Sequence, residues 1–230
     1  MSKNKLSGVF SGIAPYYDFL NHIISFNMDK SWRKRLVDIS KVKAEAKILD
    51  LCAGTADISI EFARRESSCR VAGVDFSKVM LKQAGEKIKK SGLRGQISLI
   101  EADCLNLPFK AGYFDIVSMG FGLRNLIDRR RGIVEAANML KKGGQVFILE
   151  FSPPADNVFG RIYNFYLKRM LPLIAKLFGG SLNAYKYLSS SIAAFIYPKQ
   201  ILGFMEEAGL KKLDYKKMCG GIVNIYSGEK

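Results

Sequence analysis

Five short apolar runs divide the middle of the chain, at Ile48–Leu51, Arg70–Asp75, Gln96–Ala102, Phe114–Met119 and Gln145–Phe151. Between most of them lie stretches with helical spacing: Ile58–Glu66, a stretch opened by Ser77 with Met80, Leu81, Ala84 and Ile88 on one side, and Asp128–Leu140. Gly92 stops the second of these, and Gly143 with Gly144 stops the third. Strands alternating with helices predict a parallel sheet covered on both faces. The end differs: a helix over Lys199–Ala208, a strand over Lys211–Met218, a C-G-G turn and a strand over Ile222–Tyr226. So short a connection requires an antiparallel pair. The expected fold is therefore α/β, Rossmann-like and doubly wound, with a mostly parallel seven-stranded sheet that closes on an antiparallel hairpin.

Two segments stand outside this rhythm. Residues 9–40 are amphipathic and helical, rich in aromatics (Phe10, Tyr16, Tyr17, Phe19, Phe26, Trp32), with a break near Asn27 and a cap at Asp29 or Ser31. Residues 156–200 carry two or three apolar helices in which Arg161, Lys168, Arg169, Lys176 and Lys186 are set among aromatic and aliphatic residues. We read 1–230 as a single domain: a helical lid over 1–40, a core over 47–151, a helical cap over 156–200, and a C-terminal helix and strands over 201–230.

Composition narrows the partners. Lys+Arg 36 against Asp+Glu 21 gives a formal charge of +15, an excess that suits an anionic partner, nucleic acid or an acidic membrane surface. Cys52, Cys69, Cys104 and Cys219 have no C-x-x-C spacing, and His22 is the only histidine, so no zinc site is expected. The cysteine usage fits a reducing cytoplasm, and the start of the chain lacks the apolar run of a signal peptide.

The candidate chemistry gathers at strand ends. Lys47–Asp57, K-I-L-D-L-C-A-G-T-A-D, reads as a strand, a turn of small residues and a helix start. Such a turn lets a ligand approach the backbone, and a helix N-terminus favours a carboxylate or phosphate. Gly54 is a single glycine where a dinucleotide fingerprint wants three, which counts against NAD or FAD. Asp50, Asp75 and Asp103 finish three successive strands, and in a parallel sheet these acids are expected in register along one edge. Asp75 stands 21 residues beyond Gly54 (75 − 54), the spacing of a carboxylate that accepts ribose hydroxyls. The fourth strand runs into G-F-G-L-R-N, where Gly120 and Gly122 are read as allowing backbone approach and Arg124 and Asn125 supply a cation and an amide. A capping Asn125 and a solvated Arg124 are the plainer alternative.

In its element order and motifs the chain resembles the class I S-adenosylmethionine-dependent methyltransferases, and more closely the quinone-biosynthesis C-methyltransferases acting on demethylmenaquinone and the corresponding ubiquinone precursor. The motifs are V-F-S-G-I-A-P-Y-Y-D-F-L-N from Val9, S-F-N-M-D-K-S-W-R from Ser25, L-D-L-C-A-G-T-A-D from Leu49, G-F-G-L-R-N from Gly120, L-K-K-G-G from Leu140, L-E-F-S-P-P from Leu149 and Y-K-Y-L-S-S-S-I-A-A-F from Tyr185.

The resemblance implies S-adenosyl-L-methionine as cofactor, with Gly54 and Thr55 at its methionine part, Asp75 at its ribose, Asp103 and Cys104 at its adenine, and contacts from Asp50 and Gly120. Ala56, Asp103 and Gly120 depart from the commoner glycine, asparagine and serine. The implied reaction transfers a methyl from sulfonium to the ring carbon of a reduced, deprotonated quinol. Arg124 is the expected phenolate stabiliser, Asp18 or His22 is the expected proton acceptor, Asp18 ahead because it belongs to the Y-Y-D motif, and Tyr17 and Asn125 lie on the substrate side. A lipid quinol gives the basic, apolar cap a purpose at an anionic membrane surface, which places the protein in the cytoplasm or peripherally on the inner membrane. A homodimer is allowed for and no nucleic-acid partner is expected. The rivals are a nucleotide-dependent oxidoreductase, a nucleic-acid methyltransferase, which usually carries an N/D-P-P-Y/F motif where this chain has G-F-G-L-R-N, and a non-enzymatic binding protein.

Overall fold

A computed structural model of the chain describes His22, Ser25 and residues 27–154, 158–170 and 182–230. Strands β1 (Lys47–Leu51), β2 (Arg70–Asp75), β3 (Ile97–Glu101), β4 (Phe114–Gly120), β5 (Leu140–Phe151), β6 (Lys211–Met218) and β7 (Val223–Glu229) form one sheet in the order β3-β2-β1-β4-β5-β7-β6. Neighbours from β3 through β5 pair parallel, and β7 pairs antiparallel with both β5 and β6. Only β7 therefore runs against the rest, slotted between β5 and β6.

The pleat sorts the core. On β1 and β4, Ile48 and Ile116 face one side, while Leu49, Leu51, Val117 and Met119 face the other. The first side is covered by α1 (Met28–Ser40), α2 (Asp57–Arg65) and α3 (Lys78–Lys90), through Leu36, Phe62 and Ile88 among others. The second is covered by α4 (Arg129–Met139) and α7 (Pro198–Glu207), through Ile133, Ala137, Ile201 and Met205. With both faces buried, the inner strands read as nearly continuous apolar runs rather than alternating ones, which is why the pattern was legible. Between β5 and α7 lie α5 (Val158–Phe165), a π-turn over Tyr166–Met170 and α6 (Leu182–Ala193).

Two boundaries differ from expectation. The cap before α1 is Asn27, left-handed at φ 60 with no side-chain capping bond, rather than Asp29 or Ser31. Asp29 sits in the first turn, buried, its carboxylate engaged by side chains. At the other boundary α4 ends at Met139, and Leu140 already pairs with Phe114, so Gly143 and Gly144 lie inside β5. Burial of Leu140 draws the strand back past the glycines. The register slips between Phe114 and Ile116, and at Gly144 a Cβ would stand 3.0 Å from the Lys141 carbonyl. Tyr17, Asp18 and most of the expected first helix lie outside the described residues.

Candidate active site

The strand order reverses at β1, which lies between β2 and β4, and in open α/β sheets such a switch point leaves a crevice at the strand C-termini. The loops after β1 and β4 form its walls.

The first loop is built on alternating backbone signs. Cys52 (φ 54), Gly54 (φ 55) and Ala56 (φ 66) are left-handed, whereas Ala53 and Thr55 between them are not. Alternation of this kind turns successive N–H groups toward one side, the geometry of an anion-binding nest. It costs about 1–3 kcal/mol at each non-glycine left-handed residue, so something must hold it. The Ala53 N–H donates to the Val74 carbonyl at 2.9 Å, and the Gly54 N–H donates to Asp75 Oδ2 at 2.9 Å. Asp75 Oδ1 accepts from the Ser77 N–H at 2.9 Å. Burial raises the Asp75 pKa, and these backbone donors oppose the rise.

The three acids are not level. Asp75 pairs with Glu101, whereas Asp50 pairs with Gly73, one pair below the Leu51–Val74 pair, and its side chain turns toward α2. There Ser59 and Ser118 donate to its two oxygens at 2.6 and 2.7 Å. Asp103 lies beyond β3, and its Oδ1 accepts the Leu105 N–H at 3.0 Å. Cys104 is buried with its Sγ 3.5 Å from that of Cys52, which ties the β1 and β3 loops together; the contact with Cys104 and burial raise the Cys52 pKa.

Burial pushes the Asp50 pKa up to about 6, against the two serine hydroxyls that favour the charged form. A folded pKa above the unfolded one means that the native state holds the extra proton. This contribution is therefore full below about pH 4 and declines as pH rises through 6, by about 3 kcal/mol for a shift near two units. Asp50→Asn should accordingly flatten the fall in stability between pH 4 and 7, measured by urea unfolding of the cofactor-free protein across that range. An unchanged slope would show that Asp50 does not hold the proton.

A cation that the sequence reading missed completes this wall. Arg33, only 9% exposed, bonds Asp29 and reaches Asp57 at the start of α2 through Nη2 at 3.5 Å. Lys87 pairs with the same Asp57 and donates to Thr55 Oγ1 at 3.4 Å. Asp29 also accepts from Ser25 Oγ at 2.8 Å, and its Oδ2 lies 2.8 Å from His22 Nδ1. Despite burial, Arg33, Ser25 and His22 together lower the Asp29 pKa. The cleft between the loops is lined by Arg33, Asp50, Gly54, Thr55, Asp57 and Phe121, among others. A cation and carboxylates around one cleft suit a zwitterionic amino-acid group, and Asp75, bonded to Gly54 of its wall, suits a diol.

In the second loop, packing requires both Gly120 and Gly122 to be glycine. A Cβ at Gly120 would stand 2.2 Å from Ile58 Cδ1, and one at Gly122 would stand 2.4 Å from Cys52 Cβ. Gly120 also lines the cleft. Arg124 is 8% exposed, so the solvated alternative does not hold; its Nη1 donates to Glu150 Oε1 at 2.8 Å and its N–H donates to Oε2 at 3.1 Å. The guanidinium lies 5.5 Å from the centre of the Phe151 ring. Asn125 closes a 3₁₀ turn, donates to the Phe121 carbonyl at 3.3 Å and accepts from Tyr187 Oη at 2.8 Å.

Beyond this loop lies an apolar cavity of about 250 Å³, lined by Ser25, Trp32, Phe151, Tyr163, Leu167, Ile192 and neighbours. An aromatic wall parts it from the cleft. Phe121, left-handed at φ 56, faces the cleft, while Trp32 and Phe151 face the cavity. The Phe121–Phe151 ring centres are 4.9 Å apart, and those of Trp32 with Phe121 and Phe151 are 6.1 and 6.2 Å apart.

Two chambers, one polar and one apolar, sharing an aromatic wall are what a two-substrate transfer between a charged donor and a hydrophobic acceptor requires. Residues 1–230 match the model of the ubiE/COQ5 methyltransferase family. The chain belongs to this family. It is thus a methyltransferase whose methyl donor is S-adenosyl-L-methionine. It is 39% identical over 227 residues to the ubiquinone/menaquinone biosynthesis C-methyltransferase UbiE of Geotalea daltonii, covering 98% of this chain and 96% of that one. With the demethylmenaquinone methyltransferase of Thermus thermophilus it shares 39% over 222 residues, 96% of this chain and 100% of the other. Among solved structures, a SAM-dependent methyltransferase from Thermotoga maritima superposes with a TM-score of 0.68 at 18% identity, covering 97% and 99% of the two chains. The [4+2]-cyclase SpnF superposes with a TM-score of 0.65 at 16% identity, over 86% and 80%. One fold serves both, so the reaction must be argued from the site.

Proposed function

We propose that this ubiE/COQ5 family member methylates a ring carbon of a reduced isoprenoid quinone precursor, a demethylmenaquinol or its ubiquinol counterpart. The observation that carries the reading is the apolar cavity beside the donor cleft, which suits a flat hydrophobic ring. Bound S-adenosylmethionine supplies an electrophilic methyl group on a positively charged sulfur.

The residues divide the remaining work. Gly54, Thr55 and Arg33 hold the methionine carboxylate, Asp50 faces its ammonium, Asp75 holds the ribose, and Asp103 with Cys104 borders the adenine. Gly120 keeps the cleft floor low by admitting Ile58. On the acceptor side, Arg124 acts from behind Phe151, its charge balanced by Glu150, so it shapes the loop and the potential rather than standing as a bare cation. Asn125 and Tyr17 border the acceptor. Either Asp18 or His22, the latter oriented by Asp29, takes the proton that the ring carbon releases once the new C–C bond has formed. The segment 1–40 acts as lid and 156–200 as cap over the core.

The cap also supports a membrane-facing reading. Val158, Ile162 and Phe165 on α5 are 74%, 62% and 60% exposed, beside the exposed cations Arg161, Lys168 and Arg169. An apolar face rimmed by cations suits an anionic lipid surface, and Ile162 also lines the cavity. No described helix is long and apolar enough to cross a membrane.

The test is transfer of labelled methyl from S-adenosylmethionine to demethylmenaquinol, and separately to the demethylated ubiquinol precursor, in vesicles with and without anionic lipid. Label in either lipid product is the expected result, lowered by added salt when anionic lipid is present. No label in either, with cofactor bound, would overturn the acceptor assignment.

A further inference from the structure

Tyr163 holds a polar group where burial should have excluded one. The residue is 7% exposed and lines the apolar cavity, packed with Leu167 and Ile192. Its hydroxyl is buried and has no hydrogen-bond partner among the described residues. A buried hydroxyl without a partner costs about 1–3 kcal/mol, and such orphans in a native structure call for an explanation. Phenylalanine would fill the same space at no such cost. The phenol also lies within electrostatic reach of the Arg124–Glu150 pair, behind the Phe151 wall of the same cavity, and burial keeps it protonated. It is thus a hydrogen-bond donor enclosed in the wall of the chamber that suits a flat ring, packed beside Phe151.

We propose that Tyr163 donates a hydrogen bond from its hydroxyl to the ring oxygen of the bound quinol acceptor and stabilises that oxygen as the quinol's proton leaves. The inference rests on the acceptor reading above. The ring carbon beside an ionised oxygen is the nucleophile, so charge on that oxygen governs the rate. A donor to that oxygen favours the phenolate and fixes which carbon faces the cleft. Tyr163 keeps its own proton throughout: the C–C bond forms, the S–CH₃ bond breaks with its electron pair left on sulfur, and the ring hydrogen leaves to a separate base.

The test compares Tyr163→Phe with the unaltered protein by three measurements. The first is urea unfolding without ligand, where the variant should be at least as stable, because only an unsatisfied group has been removed. The second is methyl transfer, where kcat/KM should fall about 10- to 100-fold with cofactor affinity unchanged, and the rise of rate with pH should move to higher pH. The third needs no turnover: binding of the anionic 2-hydroxy-1,4-naphthoquinone, which carries an ionised ring oxygen, followed by quenching of Trp32, the only tryptophan and a cavity wall. The variant should bind it about tenfold more weakly. Equal probe affinity, or full activity with an unmoved pH profile, overturns the assignment of Tyr163. No methyl transfer by the unaltered protein, with probe binding that still depends on Tyr163, overturns the quinol reading and keeps the oxygen ligand. Neither transfer nor dependence overturns both.

Discussion

Glu150→Ala is expected to lower the unfolding free energy by about 3–5 kcal/mol, the cost of leaving a buried guanidinium without its counter-charge. Glu150 is fully buried; it accepts from Arg124 at both the backbone and the guanidinium, and from the Phe151 N–H at 2.9 Å. Removing the carboxylate therefore strips partners from two elements at once, the 3₁₀ turn after β4 and the end of β5. Phe121 and Phe151, which part the two chambers, flank those points, so acceptor turnover should fall with stability. Denaturant unfolding measures the loss. The double variant Glu150→Ala with Arg124→Ala should be less destabilised than the two single losses summed, because it no longer buries a lone charge. A loss below about 1 kcal/mol in the single variant would show that solvent reaches the pair.

Asp75→Ala is the second large effect, with cofactor affinity falling about 100-fold or more as measured by calorimetric titration. Two contributions add. A carboxylate that bonds both hydroxyls of a ribose provides about 1.5–3 kcal/mol for each bond. The same carboxylate pins Gly54 and Ser77, so its loss frees a loop that carries left-handed Cys52 and Ala56. Asp75→Asn separates the two, since the amide oxygen keeps one acceptor for the loop while the charge is lost. Unchanged affinity in both variants would remove Asp75 from the donor site.

These two residues illustrate different routes to a site. Asp75 was readable from its place at a strand end and its distance from a small-residue turn, and the structure bonds it to Gly54 in that turn. Arg124 was readable as a functional cation in G-F-G-L-R-N, yet its burial against Glu150 was not, because the partner lies 26 residues away on another strand. Gly120 and Gly122 invited a reading as ligand-approach glycines. The space they leave is filled by Ile58 and Cys52, and the sequence carries no signal for that.

What the sequence by itself determined is what local chemistry controls. Buried strands must be apolar, caps and small-residue turns bound helices, and alternation of the two dictates a doubly wound sheet, so β1 through β5 and both C-terminal strands were legible. What only the tertiary structure decided is what depends on register and burial. Asp50 is level with Gly73, two residues short of Asp75 on the same face, and there Ser59 and Ser118 hold its carboxylate, so it does not join a row with Asp75. Likewise nothing local distinguishes Arg33 from the other cations of its helix, or Tyr163 from the aromatic residues around it. Arg33 acquires its meaning from Asp29 and Asp57, and Tyr163 from its place in a cavity wall with a buried hydroxyl that has no partner among the described residues.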